Sequence, residues 1–368
     1  TYKEIKMWEK GIILNLDLTT RCNAGCPQCH RTDLNGLTKQ VRLPDVVWDI
    51  ETFKKAFSPE DCQFIGVWDF CGVFGDPMMV PDIVKIVEYI RESNPNAQLQ
   101  INTNGSIRDE DTWWNLCTAG KDKLTFFISV EGTTQEMHET YRQNTFLDKI
   151  LKNMDLVSQT QSKIRTQCLV WKHNEDHLEE IEKLCRDHGS IGHRISVTTR
   201  QRNFDKDGKI HFNNRGKPGV LERSTLKAGQ EVDGYIQVDR RRYVKENEFQ
   251  DGDREDVELL NQKSNSDISC EWGNKNAMAM DYNGNIHPCC FFQNPYYSLG
   301  LSSNQSGWEE KFNNHELIKD YRFSESELNV FRSPISKIVK HKWFSEFLPR
   351  SWEYQPNIQC LTQCGKCK

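Results

Sequence analysis

Three cysteines near the start of the chain have a spacing that suits metal chemistry. They form the motif Cys22-x3-Cys26-x2-Cys29. Thiolates are the ligands that iron–sulfur clusters require, and three thiolates on a four-iron cluster leave one iron open to another molecule. Zinc with His30 as the fourth ligand is the alternative, but three cysteines this close together are awkward for one tetrahedral ion. The spacing therefore favours an iron–sulfur cluster.

The chain contains 14 cysteines, and their distribution is uneven. Such a number, without an export signal, indicates metal ligands or catalytic thiols in a reducing cytoplasm rather than disulfides. Five cysteines are scattered through apolar stretches, and we expect them to be small buried hydrophobic residues: Cys62, Cys71, Cys117, Cys168 and Cys185. A second group lies toward the C-terminus: Cys270, Cys289, Cys290, Cys360, Cys364 and Cys367.

The first half of the chain alternates between short apolar runs and amphipathic stretches, which predicts about six β–α units and a parallel sheet. The predicted strands are Ile12–Leu18, Phe64–Phe70, Leu99–Thr103, Leu124–Val130, Ile164–Trp171 and Arg194–Thr199. Six units are too few for a closed eight-stranded barrel, so we expect an open partial (β/α)6 barrel of the TIM type. Ligands then bind at the carboxyl ends of the strands, where the first cysteine motif lies.

The remainder of the chain predicts two further regions. Residues 201–268 are charged and glycine-rich, and we interpret them as a polar insertion or linker in which Ile210–Phe212 and Tyr235–Val238 are short strands. Residues 269–368 form the C-terminal region, and residues 1–200 the barrel. The C-terminal region opens with a predicted β-hairpin over 277–292, whose Asn-Gly pair supplies the positive φ angles of a tight turn.

The cysteine motif after the first strand of a partial barrel resembles the radical S-adenosylmethionine (SAM) superfamily. That resemblance implies a [4Fe–4S] cluster on Cys22, Cys26 and Cys29 that binds SAM. It also implies SAM contacts at the ends of the next three strands and in the segment that follows. The implied contacts are Gly75, Asp76, Pro77, Asn102, Asn104, Ser129, Glu131 and Arg142. Asp76 takes the place of the usual glutamate that binds the SAM amino group.

The C-terminal cysteines resemble the SPASM/twitch extension of that superfamily. Cys270, Gly284 and Cys289 match its opening, and three distal cysteines would close the site. A full SPASM domain holds two clusters and needs about eight ligands, so the resemblance implies the shorter twitch form with one auxiliary [4Fe–4S] cluster. Its ligands would be Cys270 and Cys289 with two of Cys360, Cys364 and Cys367. A structural zinc site is the alternative here.

The resemblance implies an oxidoreductase-type enzyme that reductively cleaves SAM to a 5'-deoxyadenosyl radical, which abstracts hydrogen from its substrate. The outcome would be oxidation, epimerisation or cross-linking, and the electron would come from flavodoxin or ferredoxin. Two other interpretations stay open: a non-catalytic iron–sulfur electron carrier and a zinc-stabilised binding module. Because the first predicted strand begins at Ile12, we expect no N-terminal peptide-recognition domain, which favours a small molecule or a peptide delivered by a partner.

Composition limits the other partners. Lys and Arg number 48 against 53 Asp and Glu, a net charge of -5, which argues against a nucleic-acid binder. No apolar run approaches the roughly 20 residues of a membrane helix. The first ten residues lack the apolar segment of a secretory signal, so we expect a cytoplasmic protein with no membrane partner.

Overall fold

The computed structural model describes residues 8–197, 204–226, 267–297 and 312–366. Cys367 and the predicted strand Tyr235–Val238 lie outside the described residues. Within the described part of the chain, no helix is both long and apolar enough to cross a membrane.

The strands alternate with helices up to residue 197, and the strands from residue 267 onward are only two to four residues long. In chain order they are β1 (Ile12–Leu16), β2 (Thr32–Asp33), β3 (Thr38–Lys39), β4 (Ile65–Cys71), β5 (Gln98–Thr103), β6 (Leu124–Ser129), β7 (Lys163–Val170), β8 (Ser190–Val197), β9 (Lys209–Asn214), β10 (Lys217–Glu222), β11 (Asp267–Ile268), β12 (Ala277–Met280), β13 (Ile286–His287) and β14 (Gly365–Lys366).

Eight of these strands form one sheet, in the order β13-β12-β1-β4-β5-β6-β7-β8. Six of them pair in parallel: β1, β4, β5, β6, β7 and β8. This confirms the predicted partial barrel. β12 adds a seventh parallel strand beside β1, with Ile13 opposite Ala277, and β13 then pairs antiparallel with β12. The carboxyl ends of these parallel strands therefore lie at the same end of the sheet, among them those of β1, β4, β5, β6 and β12.

The helices cover the outside of this sheet and build the C-terminal region. They are α1 (Ile50–Ala56), α2 (Pro59–Phe64), α3 (Ile83–Ser93), α4 (Glu110–Gly120), α5 (Gln135–Tyr141), α6 (Leu147–Ser158), α7 (Leu178–Asp187), α8 (Glu271–Asn274), α9 (Cys290–Tyr297), α10 (Glu316–Ser324), α11 (Ile335–Ile338), α12 (Leu348–Tyr354) and α13 (Ile358–Cys364). A short π-helix, Trp343–Phe347, precedes α12.

Helix α3 shows why these segments are helical. Ile83, Ile86, Val87 and Ile90 recur at the spacing of one helix face, and all four are fully buried against the sheet. The opposite face is polar, so burying one face brings most of the stabilisation. The predicted apolar stripe is confirmed.

The predicted hairpin over 277–292 is partly wrong. Its first strand is β12, but its second strand ends at His287 because Pro288 has no N–H with which to continue the ladder. Helix α9 begins two residues later. Of the Asn283-Gly284 pair, only Gly284 has a positive φ, 85°. The Asp281 carboxylate closes the turn by accepting from the Asn283 N–H at 2.7 Å.

The C-terminal region packs into the same hydrophobic core as the barrel. Met280, Phe292 and Trp343 are buried in one cluster with Leu14 and Phe70. The sheet likewise runs across the predicted boundary at residue 269, because β12 lies beside β1. How the chain divides into folding units stays a prediction.

Residues 204–226 contain a hairpin of β9 and β10, which we call the insertion hairpin. The predicted strand Ile210–Phe212 is confirmed as part of β9. Arg215 and Gly216 form the tight turn between the strands, with positive φ angles of 52° and 91°. Residues 204–226 therefore have a defined structure, although their sequence lacks a strong hydrophobic periodicity.

Candidate functional site

The three N-terminal cysteines lie in the loop that follows β1, at the carboxyl end of the sheet. Cys26 is buried, and Cys22 and Cys29 are half-buried. The Cys29 N–H donates to the Cys26 carbonyl oxygen at 3.0 Å. A Cβ atom on Gly25 would lie 2.8 Å from the Leu37 Cβ, so this close approach needs glycine. The thiols therefore occupy a tightly packed loop.

Two arginines lie near these thiols. Burial raises the pKa of the Cys26 thiol to about 11, and Arg142 opposes that shift. Burial also raises the pKa of Cys22, with Arg31 opposing. The metal-binding form of cysteine is the thiolate, so cations beside the loop favour ligation. Three thiols with nearby arginines fit an anionic iron–sulfur cluster by their chemistry. Among the described residues, no group of at least three His, Cys, Asp or Glu side chains is placed so that it could hold a metal ion.

The segment Gly75-Asp76-Pro77 follows β4 and packs against the chain just before the cysteine loop. A Cβ atom on Gly75 would lie 2.2 Å from the Thr19 carbonyl oxygen, which only glycine permits. The Asp76 N–H donates to the Arg21 carbonyl oxygen at 2.8 Å. Pro77 then begins a short 3-10 turn. This segment therefore supports the cysteine loop from the β4 side.

The Asp76 carboxylate is saturated by donors from the protein. One oxygen accepts from the Met78 N–H at 3.0 Å. The other accepts from the Thr103 hydroxyl at 3.1 Å, and from the N–H and side-chain amide of Asn104 at 2.9 and 2.8 Å. The Asn104 amide also donates to Asn23 Oδ1, inside the cysteine loop, at 2.7 Å. Asp76 therefore positions Asn104 and the loop, and its contact with SAM stays a prediction.

Glu131 and Arg142 form a buried ion pair that reaches the cysteine loop. The Arg142 Nε and Nη2 atoms each lie 2.8 Å from a Glu131 carboxylate oxygen, and Glu131 is fully buried. Arg142 Nη1 lies 3.6 Å from the Cys26 Sγ. Burial works against the charged guanidinium, but Glu131 and Cys26 outweigh it and raise the pKa of Arg142. The pair holds a fixed positive charge beside Cys26.

His138 supports this pair, and sequence reasoning missed it. Its Nδ1 accepts from the Glu131 N–H at 3.2 Å, so its Nε2 carries the proton that reaches the Thr145 hydroxyl at 3.0 Å. Thr145 donates in turn to the Arg142 carbonyl oxygen at 2.6 Å. Burial lowers the pKa of His138 to about 3, so the ring is neutral. The only sign of this role in the sequence was a histidine on the buried face of α5.

Two of the predicted SAM contacts, Asn102 and Ser129, lie apart from the Asp76 hydrogen bonds. The Asn102 amide donates to Asp69 Oδ1 at 2.7 Å, and Asn15 donates to Asp69 Oδ2 at 2.8 Å. The Ser129 hydroxyl accepts from Gln167 at 3.1 Å. These polar side chains alternate with buried apolar residues along their strands, so they line the inside of the barrel. Asp69, Asn15 and Gln167 were missed by sequence reasoning.

Asp17 joins the two cysteine-rich parts of the chain. One carboxylate oxygen accepts from the Val73 N–H at 2.6 Å, and the other accepts from the Gln293 side chain at 2.7 Å. Asp17 lies five residues before Cys22, and Gln293 four residues after Cys289. Burial raises the pKa of Asp17 to about 8 against hydrogen bonds that lower it. Its place inside a predicted apolar strand gave no hint of this role.

The raised pKa of Asp17 predicts a pH-dependent stability. Its protonated form is favoured in the fold, so its contribution is complete below the ordinary pKa of 3.8 and is lost as pH rises to about 8. Asp17→Asn mimics the protonated acid and is expected to remove up to about 1.4 kcal/mol per pH unit of slope. Urea unfolding at pH 5 and pH 7.5 measures this. Asp111→Asn, at an exposed site, is the control, and an unchanged slope in Asp17→Asn contradicts the assignment.

Four C-terminal cysteines line one largely enclosed apolar pocket. Cys270, Cys289, Cys360 and Cys364 all face it, and the Cys270 and Cys364 thiols hydrogen-bond to each other. Burial raises the pKa of Cys360 to about 12. Cys290 is not among the lining residues. The apolar walls include Ile268, Pro288, Phe292, Leu348 and Trp352. Four thiols in an apolar pocket fit a fully ligated cluster by their chemistry.

The fold is a partial barrel, and its cysteine loop lies at the carboxyl ends of the parallel strands. Residues 16–185 match the model of the radical SAM superfamily, so this part of the chain is a radical SAM domain. That class implies a [4Fe–4S] cluster and SAM.

Curated relatives are distant. A probable GTP 3',8-cyclase of Methanocaldococcus jannaschii is 20% identical over 179 residues, which cover 48% of this chain and 56% of that protein. A GTP 3',8-cyclase of Streptomyces coelicolor is 29% identical over 130 residues, which cover 34% of this chain and 35% of that protein. The chain therefore spans about half or less of the length of the relatives it matches.

Solved structures share the fold over nearly the whole chain. Streptococcus suis SuiB superposes with a TM-score of 0.53 at 12% identity, covering 97% of this chain and 79% of its own. The native anSMEcpe with bound AdoMet gives a TM-score of 0.53 at 12% identity, covering 96% and 88%. At this identity the likeness establishes the architecture alone.

Proposed function

We propose that this chain holds a [4Fe–4S] cluster on Cys22, Cys26 and Cys29 and cleaves SAM there reductively. The bound cluster and SAM would supply a 5'-deoxyadenosyl radical that abstracts hydrogen from a small-molecule or peptide substrate. The observation that carries the proposal is the Asp76–Asn104–Asn23 contact, which ties the ends of β4 and β5 to the cysteine loop. In this proposal, the elements that would bind SAM and the loop that would bind the cluster are held together by these hydrogen bonds.

The chain's own residues would divide the work of binding and orienting SAM. Asp76 and Asn104 would hold the loop that faces the SAM methionine group, with Gly75 and Pro77 shaping it. Arg142, fixed by Glu131, would place a positive charge near the SAM carboxylate. We propose that further SAM contacts come from Asn102 and Ser129.

We further propose a twitch-type auxiliary [4Fe–4S] cluster in the C-terminal pocket. Cys270, Cys289, Cys360 and Cys364 would be its ligands because these thiols line the same apolar cavity. Four protein ligands would leave no iron open, so such a cluster would pass electrons or hold structure rather than bind SAM. Cys290 would not be a ligand of this cluster.

Two substrate classes are proposed, a small molecule and a peptide. Solved relatives of the same architecture include SuiB bound to a precursor peptide and anSMEcpe bound to a peptide. The GTP 3',8-cyclases act, by their name, on a nucleotide, but they match over only part of their length. We therefore keep both a small molecule and a peptide, with flavodoxin or ferredoxin as the electron donor.

The decisive experiment is anaerobic reconstitution followed by iron and sulfide counting and a SAM-cleavage assay with dithionite. We expect about eight iron atoms per chain, as two four-iron clusters require, and formation of 5'-deoxyadenosine. Iron without cleavage would instead indicate an electron carrier. Zinc without iron would indicate a zinc-stabilised module. Either result rejects the proposed function.

Loss of the C-terminal ligands should separate the two clusters. Cys270→Ala with Cys364→Ala is expected to remove about four of the iron atoms while dithionite-driven SAM cleavage persists. The reason is that the first cysteine loop has its own supports, through Asp76 and Arg142. Iron analysis and 5'-deoxyadenosine yield measure both. Unchanged iron content rejects the auxiliary ligands, and Cys290→Ala serves as the control.

A further inference from the structure

The insertion hairpin lies directly on the first cysteine loop. Ile210, Phe212 and Leu221 form one buried cluster with Cys26 and Trp171. Phe212 packs so closely across the hairpin that a Cβ atom on Gly219, opposite it, would lie 2.4 Å from its ring. The inner face of the hairpin is therefore buried against the cysteine loop.

Backbone hydrogen bonds fix the tip of the hairpin in place. The Asn213 N–H donates to the Leu34 carbonyl at 2.8 Å, and the Gly36 N–H donates to the Asn213 carbonyl at 2.7 Å. The Asn214 amide donates to Gln143 Oε1 at 2.7 Å. The Gln143 carbonyl accepts from the N–H of Gly25, within the cysteine loop, at 2.9 Å. Gln143 thus links the tip to the cysteine loop.

The outer side of this hairpin is solvent-exposed and positively charged. Residues 204–226 hold five Lys and Arg against three Asp and Glu, although acidic residues outnumber basic ones in the whole chain. Glu222 pairs with Lys209 at 2.8 Å. Arg215 and Lys217 are exposed at the tip, and within the described chain neither has an ion-pair partner. Two uncompensated cations therefore stand at the tip.

The hairpin that carries these cations packs against Cys26 through its buried inner face. A carrier docked on the hairpin would therefore stand close to a cluster held in that loop. The exposed face also carries apolar surface, with Val220 44% exposed. Cations beside an exposed apolar side chain match an acidic protein partner.

We propose that the tip of the insertion hairpin, centred on Arg215 and Lys217, is the docking site of an acidic one-electron carrier protein. This inference rests on the proposed function, because it needs a cluster on the three N-terminal cysteines. In the step itself no bond forms or breaks. The carrier loses one electron and the oxidised cluster gains it. Charge attraction raises the rate at which the carrier meets the correct face.

The test compares two reductants on the full chain with reconstituted clusters. Flavodoxin in its hydroquinone form must dock, whereas dithionite is a small ion that needs no docking surface. Arg215→Glu with Lys217→Glu is expected to raise the apparent KM for flavodoxin at least tenfold at low salt. The rate of 5'-deoxyadenosine formation with dithionite stays at the wild-type value.

The matched control is Lys152→Glu with Lys163→Glu. Both lysines are exposed, and Lys163 begins β7 at the opposite, amino end of the sheet, so the net charge changes equally without touching the hairpin. The neutral variant Arg215→Gln with Lys217→Gln perturbs packing least and should give an intermediate KM. Its KM should also depend less on ionic strength than that of the wild type.

Two results overturn the docking site. One is a flavodoxin KM in the glutamate variant equal to that of the control. The other is a neutral variant whose KM and salt dependence match the wild type. Failure of the proposed function is distinct from both, because the wild-type chain would then form no 5'-deoxyadenosine even with dithionite.

Discussion

Replacing Cys22, Cys26 and Cys29 together with alanine is expected to abolish formation of 5'-deoxyadenosine. The triple variant should also lose about four of the iron atoms and keep those of the C-terminal pocket. The fold should survive because the loop is held by groups other than the thiols, among them Gly75 and Asp76. Iron analysis, circular dichroism and the dithionite-driven assay measure the three expectations together.

The chain offers a control with the same number of thiols removed. Cys62, Cys117 and Cys185 are buried away from both cysteine sites and, as the sequence predicted, behave as small hydrophobic residues. Changing these three to alanine should lower stability while iron content and cleavage per iron stay unchanged. Cleavage that persists in the first triple variant refutes the assignment of the SAM-binding cluster.

Arg142→Met is expected to lower the free energy of unfolding by about 3–5 kcal/mol. The substitution leaves the fully buried Glu131 carboxylate without its bidentate partner, and an unpaired buried charge is strongly unfavourable. It also removes the positive charge beside Cys26. Denaturant unfolding of the anaerobic protein measures the loss, and SAM cleavage should fall with it.

A double-mutant cycle separates these two consequences. Glu131→Gln with Arg142→Met removes both charges and should recover much of the stability lost in Arg142→Met alone. Cleavage should not recover, because the proposed cation near the SAM carboxylate is still absent. If Arg142→Met unfolds like the wild type, the ion pair is not what holds this part of the site together.

The sequence predicted the barrel and its cysteine loop well, for physical reasons. Buried strands and amphipathic helices leave strong periodic patterns in a sequence, as in α3. Three thiols within one short loop indicate few functions other than binding a metal cluster. The loops at the ends of β4 and β5 were expected at the site from the strand order together with the resemblance to the superfamily. These features depend on residues close together in the chain, which a pattern can register.

Contacts between distant residues were beyond such reasoning. Asp17 and Gln293 are 276 positions apart in the chain, and no residue pattern near either one predicts their hydrogen bond. The Asp76 carboxylate carries the right chemistry for SAM, yet the fold surrounds it with protein donors. The end of the second hairpin strand at Pro288 shows the reverse case, in which a local signal was present in the sequence and was overlooked.

The pairing of β12 with β1 has a consequence for how the protein is made. Ile13 can pair with its neighbour Ala277 only after the whole intervening segment has been synthesised. Until then the edge of β1 exposes unpaired backbone groups, a known template for aggregation, and so long a loop closure is slow. Nascent chains should therefore depend on chaperones, and yields should improve when translation is slowed at low temperature.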